Sequence, residues 1–210
     1  MPPNAIQLRG YADVLVRTAL GLREGQGLLL RAELAHRDFA NLVVEAAYDA
    51  GASLVVVDWQ DQRVNRARYA RSRPEYLDRV PAGLVAQYHQ LMDEGWALLN
   101  LTGEELPGLL ADVDPAAISR AGQARAKATE FYRNGVMAPL FAWTIGGVPT
   151  AAWARQVFPA LSEAEGMDAL WDDLLRMARA DQPDPAAAWA AHAARMGVVR
   201  PSLERERIRA

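Results

Sequence analysis

Cysteine is absent from the 210 residues, and lysine occurs once, as Lys127. The first absence excludes a disulfide scaffold, a thiol nucleophile and every thiolate metal site. The second, beside abundant Arg and Ala, fits codon bias in a GC-rich genome. Charge of one sign is lacking too. Acidic and basic residues interleave to a net charge of −3, without the basic footprint of a nucleic-acid binder. No apolar run approaches the roughly 20 residues that cross a bilayer. The opening Met1-Pro2-Pro3-Asn4 has no basic segment followed by an apolar one, so it is not expected to act as a secretory leader. These features predict a cytoplasmic protein with no membrane and no nucleic-acid partner. There is no nucleotide fingerprint or phosphate loop, and no Gly-x-Ser-x-Gly elbow that would present a nucleophilic serine. Gly25-Gln26-Gly27 precedes a strand, whereas a dinucleotide motif follows one.

What remains is an ordinary globular composition, 51% hydrophobic and 23% charged, long enough to bury a core without staples. Asn4 with Gln7 has the spacing of a capping box, and Tyr11, Val14, Leu15, Thr18 and Leu22 stripe one helical face behind it. Gly27 to Arg31 reads as a buried strand. A second helical stripe runs from Phe39 to Ala50, and Ser53 to Asp58 is the strongest strand signal. A polar, Arg-rich stretch follows from Gln60 to Arg73, then a third helix behind Pro81 and a strand from Trp96 to Leu101. Asp114-Pro115 opens a fourth helix expected to run to Gly135, and Leu140 to Ile145 is the fourth strand, stopped by Gly146-Gly147. Only helices are expected beyond it: one from Thr150, one behind the Ser162/Glu165 capping box, and one capped by Asp184. Strand alternating with helix predicts an α/β fold: a doubly wound, mainly parallel sheet of about four or five strands. A helical appendage is expected at the C-terminus.

Ligands of such sheets bind beyond the C-terminal strand ends. There Asp58 and Asp61 could act as a base or hold a cation, or else cap a turn and pair with Arg63, Arg66 or Arg68. Glu104 and Glu105 invite the same two readings. Gly146-Gly147 reads as a turn, or as backbone approaching a ligand. His36, His89 and His192 stand far apart, none with a second ligand at helical spacing, and read as surface or satisfied core residues. Trp143, Trp153, Trp171 and Trp189 read as core anchors. Arg200, Arg205, Arg207 and Arg209 interleave with Glu204 and Glu206, the pattern of a solvated helix. No catalytic constellation emerges from the residues themselves.

Three stretches carry a resemblance. Tyr11 to Arg17 with Leu22 to Arg31, Ala46 to Ala52 with Val55 to Asp61, and Pro149 to Ala154 with Val157-Phe158-Pro159 and Ala169-Leu170-Trp171 run in order along the chain. Together they resemble the opening of the thermophilic metallo-aminopeptidases, the aminopeptidase T, aminopeptidase S and PepS-like family. The resemblance implies a homodimeric exopeptidase releasing N-terminal amino acids, with two divalent ions, zinc or cobalt, polarising the scissile carbonyl and activating water. It places those ions in a C-terminal catalytic domain whose Glu, His, Asp and Tyr ligands match nothing in this sequence. No catalytic residue and no metal ligand is therefore assigned here. On that basis residues 1–180 are expected to be an N-terminal α/β domain and 181–210 a helical extension and linker toward the catalytic domain. The chain alone is expected to be inactive. Asp58, Asp61, Gly146, Gly147 and Thr150 are expected to line the cavity that admits short peptides. A stand-alone small-ligand-binding or assembly module is the alternative.

Overall fold

The computed structural model describes residues 2–138 and 140–205, with side chains through residue 201. Helix α1 (Ala5–Asp13) begins at the Asn4/Gln7 capping box and continues without a break as a π-helical segment, Val14–Ala19. Then come β1 (Gly27–Glu33), a tight turn at Leu34–His36, α2 (Arg37–Asp49), β2 (Leu54–Gln60), α3 (Gln62–Arg71), α4 (Ala82–Asp93) and β3 (Ala97–Thr102). Next are α5 (Pro115–Ala128), α6 (Glu130–Met137), β4 (Trp143–Gly147), α7 (Ala151–Val157), α8 (Glu163–Met177) and α9 (Pro185–Arg205).

The four strands pair in parallel in the order β2-β1-β3-β4. The chain leaves β1 in one direction to reach β2 and then crosses back over β1 to β3. Crossovers of one hand running in opposite directions put their helices on opposite faces. The packing shows both faces filled. Leu28, Leu30, Ala97, Leu99 and Leu101 meet α1, its π-helical extension, α2 and Leu175 of α8. Leu29 and Leu98, turned the other way by the period of two, meet Tyr88 and Leu91 of α4 and Tyr132 of α6. The fold is thus the expected doubly wound α/β sheet, with four strands.

Several boundaries differ from the sequence reading, each for a physical reason. Gly146-Gly147 is not a turn; both residues lie inside β4, opposite Leu101 and Thr102. A Cβ on Gly146 would stand 2.6 Å from Leu15 Cδ1, and one on Gly147 2.9 Å from Leu174 Cδ2. The glycines let the π-helical segment and α8 close onto the strand. The strand itself starts at Trp143, whose ring is 42% exposed at the sheet margin, so Trp143 is no core anchor. Trp171 does anchor, against Tyr11 and Phe39. The fourth helix is two, broken at Thr129. The Arg-rich stretch forms α3, a helix without an apolar face: Arg66 pairs with Asp112, and Arg68 donates to the Leu77 and Arg79 carbonyls. Of the Arg/Glu tail, Glu206, Arg207 and Arg209 lie outside the described residues, as do the side chains of Glu204 and Arg205.

The two sheet margins differ. At β2 the Val55 N–H donates to the Tyr48 hydroxyl at 3.2 Å. At β4 Ile145 is 54% exposed and, among the described residues, the strand pairs with β3 alone.

Burial within one sheet gives a direct test. Leu30 is fully buried and Leu54 is half-exposed. Leu30→Ala is expected to lower unfolding free energy by about 2–5 kcal/mol, and Leu54→Ala by less than about 1 kcal/mol, in chemical denaturation. Equal losses would refute the placement of β1 at the centre.

Candidate functional site at the C-terminal end of the sheet

The strand order reverses between β1 and β3, and an open α/β sheet of this kind has its crevice there. In this molecule the chain fills it. His36, at the end of β1, is buried, and its Nε2–H donates to the Gly103 carbonyl just past β3 at 3.0 Å. A carbonyl only accepts, so this bond fixes the tautomer and leaves Nδ1 bare; that atom is buried without a partner. The Thr150 hydroxyl, after β4, donates to the Glu104 carbonyl at 2.6 Å and accepts from the Trp153 N–H, capping α7. Val148 N–H donates to the Thr102 carbonyl at 2.8 Å. A Cβ on Gly103 would lie 1.9 Å from the Val148 oxygen, so only glycine fits between the two loops. Three strand ends are thereby tied together.

Burial pushes the His36 pKa below its ordinary value; the Gly103 bond and the charges of Glu33 and Glu105 oppose the shift without cancelling it. The ring is neutral at neutral pH. Glu33 accepts from the Gln62 side chain at 2.9 Å through Oε1, while its Oε2 is buried without a partner.

Asp58 faces Arg31 directly across the β1–β2 ladder and accepts from its Nε at 3.1 Å. Its other oxygen accepts from Gln60. The partner is therefore Arg31, and not the downstream arginines that sequence proximity suggested. Asp61 caps α3 through the Arg63 N–H at 2.7 Å. Thr150 is a buried cap, and Gly146 and Gly147 are strand residues. In the sequence Arg31 is marked by its place at the end of the first strand, where ligands are sought, but nothing there names its partners; Tyr88 sits on an apolar helical stripe and reads only as scaffold. Alternation along β1 does put Arg31 on the Leu29 face, where α4 packs.

Two concavities flank this region. One of about 390 Å³ lies between α3 and the loop after β3, lined by Gln62, Asn65, Tyr69 and Glu104 among others. The other, about 700 Å³ and largely apolar, lies beside β4 between the π-helical segment, α8 and α9, with Gly147, Ile145, Leu174 and Trp189 in its wall. His89 stacks flat on Phe131 at 3.7 Å, and His192 meets Arg179 at 3.2 Å and the edge of Trp189. Among the described residues no group of three or more His, Asp or Glu side chains is placed to hold a metal ion.

Fold and site together define an open-sheet α/β domain whose switch point is closed by its own loops. Residues 4–210 match the family of thermophilic metalloproteases (M29), and the chain belongs to it. It is similar to aminopeptidase T of Thermus thermophilus, 37% identical over 185 residues that make up 88% of this chain and 45% of that protein. It is also similar to aminopeptidase 2 of Geobacillus stearothermophilus, 33% identical over 186 residues, 89% of this chain and 45% of the relative. The solved structure of wild-type AmpT from Thermus thermophilus superposes with a TM-score of 0.78 at 34% identity, over 89% of this chain and 45% of that one. The chain spans about half the length of the curated relatives it matches.

Two outcomes are expected. Gly103→Ala sets backbone against backbone and should cost about 3 kcal/mol of stability, read as a fall in Tm; an unchanged Tm would disprove the close approach. His36 binds its proton less readily folded than unfolded, where imidazole titrates near 6.5. The unfolded state then holds more protons on acidification, so stability is complete above the unfolded value and falls as pH drops through it. His36→Gln keeps an N–H for Gly103 and does not titrate. Denaturation at about pH 7.5 and 5 should show the wild type losing more stability than this variant.

Proposed function

We propose that this chain is a non-catalytic domain of a divalent-metal-dependent aminopeptidase, which shapes access to the active site and takes part in assembly of a homodimer. In this reading, peptide hydrolysis belongs to a C-terminal catalytic domain holding two divalent ions, zinc or cobalt, and the enzyme works in the cytoplasm. The observation that carries the reading is the commitment of the imidazoles. His36 is bonded to Gly103, His89 is stacked on Phe131, and His192 is held beside Arg179 and Trp189. Glu33 and Glu105 lie near His36, but no three such side chains are placed together to hold a metal ion, so the described residues do not fit a two-metal centre and no hydrolytic step is routed through them. The coverage of the relatives supports the same division of labour, since a stretch amounting to 45% of an aminopeptidase is matched here.

The apolar cavity beside β4, together with Met196, Val198 and Val199 exposed on α9, is the face we assign to the rest of the enzyme. The C-terminal sheet end, with Asp58, Asp61 and Thr150, is assigned to the wall of the peptide cavity, and Gly146 and Gly147 shape that wall by letting helices close on β4.

The pure 210-residue protein is expected to release no amino acid from aminoacyl anilides, with or without added zinc or cobalt. Metal-dependent release that survives repurification would overturn the assignment. In the complete enzyme, Asp58→Ala and Asp61→Ala should raise KM for short peptides; unchanged KM in both would remove these residues from the wall.

A further inference from the structure

On the face of the sheet carrying Leu29, six polar side chains from six elements converge near the C-terminal end of β1. Arg31 donates through Nε to Asp58 at 3.1 Å and through one terminal nitrogen to the Tyr88 hydroxyl at 2.8 Å. Its other terminal nitrogen reaches Asn100 Oδ1 only at 3.5 Å, the outer limit for such a bond. Arg125 of α5 donates to the same Tyr88 oxygen at 3.0 Å. Two guanidinium groups therefore lean on one phenol, which accepts from both and still has its own proton to give. Tyr132 stacks on Tyr88 with ring centroids 4.3 Å apart. It is 9% exposed, and its hydroxyl is buried without a partner. Burial, with a smaller contribution from Tyr88, raises the pKa of that hydroxyl to about 12, and the Arg31 charge is near enough to oppose the shift.

A count of donors against acceptors shows the imbalance. Two guanidinium groups have five N–H each, and two phenols add one each. On the acceptor side, Asp58 already receives from Arg31 and Gln60, and Asn100 Oδ1 receives weakly from Arg31. No ion-pair partner of Arg125 is found among the described residues. The charge sum over Arg31, Arg125 and Asp58 is positive. The cluster is not sealed: the Arg31 side chain is 23% exposed and that of Asp58 28%. Two guanidinium groups reachable from solvent, carrying surplus positive charge over the buried Tyr88 and an orphaned Tyr132 hydroxyl, are complementary to an oxygen-bearing anion.

We propose that Arg31, Arg125, Tyr88 and Tyr132 form a binding site for a small oxyanion, a carboxylate or a phosphate group. Charge-assisted bonds from the guanidinium groups hold the anion, and the two hydroxyls set its orientation. The ligand is either inorganic phosphate or the C-terminal carboxylate of a short peptide or amino acid. This site is separate from the closed crevice at His36 and does not depend on the chain being a non-catalytic domain.

The test is calorimetric titration of the intact 210-residue protein, in a buffer without phosphate or carboxylate, with inorganic phosphate, N-acetylglycine and N-acetylglycinamide. Saturable binding of phosphate or N-acetylglycine, with none of the neutral amide, is expected. Phosphate alone identifies the mineral anion as the ligand; N-acetylglycine identifies a peptide terminus. Tyr132→Phe removes one buried oxygen and should weaken binding about tenfold, and the exposed Arg125→Gln at least as much. If Arg125→Gln fails to fold, Tyr132→Phe decides alone. Absence of saturable binding by either anion, equal binding of the amide, or an unchanged affinity in Tyr132→Phe would overturn the proposal.

Discussion

Behind β3 and β4, the Gly103 backbone and the Val148 carbonyl pass so closely that one added carbon would lie 1.9 Å from the oxygen. The rest of the C-terminal end follows from this approach. It brings the Gly103 carbonyl within reach of His36, sets Glu104 under the Thr150 hydroxyl, and joins loops from three strands into one block. In most open α/β sheets those loops part and a ligand enters between them. Here the divergence of the chain at β1 and β3 is preserved, but the opening it creates is occupied. The same topology that elsewhere builds an active site builds a closed end in this molecule, and fold alone says nothing about chemistry.

The sheet and its helices were legible because their periodicities are strong. Leu28-Leu29-Leu30 can be apolar on successive residues only where both faces are covered, and both are. The capping boxes at Asn4 and Ser162 have local geometry written into four residues, and each formed. α3 was illegible because it has no apolar face; its arginines are held by carbonyls and an acid from the stretch of chain that follows β3 or α3 itself. Gly146 and Gly147 misled because turn formation and close packing both call for glycine. The choice between them rests on Leu15 and Leu174, more than a hundred residues upstream in one case. Asp58 and Arg31 lie on separate strands, and only the register of the β1–β2 ladder makes them neighbours.

The polar chemistry of the domain is divided between the two faces of one strand end. One side is a closed knot of backbone and a neutral imidazole, built for rigidity. The other is a positively charged, partly wet cluster whose two phenols stack on each other, the Tyr132 hydroxyl being left without a partner. A domain that only filled space would not need the second arrangement, because buried donors without acceptors cost free energy. Family membership places the chain among metalloproteases. Among the described residues no group of side chains is placed to hold a metal ion.

The two margins of the sheet are guarded unequally, and this bears on how the isolated polypeptide behaves at high concentration. On the β2 side a tyrosine hydroxyl occupies an outward amide and interrupts the row of open backbone groups. On the β4 side Trp143 and Ile145 flank an uncovered strand next to an apolar hollow. Such a rim templates strand addition from any extended segment that meets it. Self-association in a concentrated solution would therefore start at β4 and grow in one direction from each molecule.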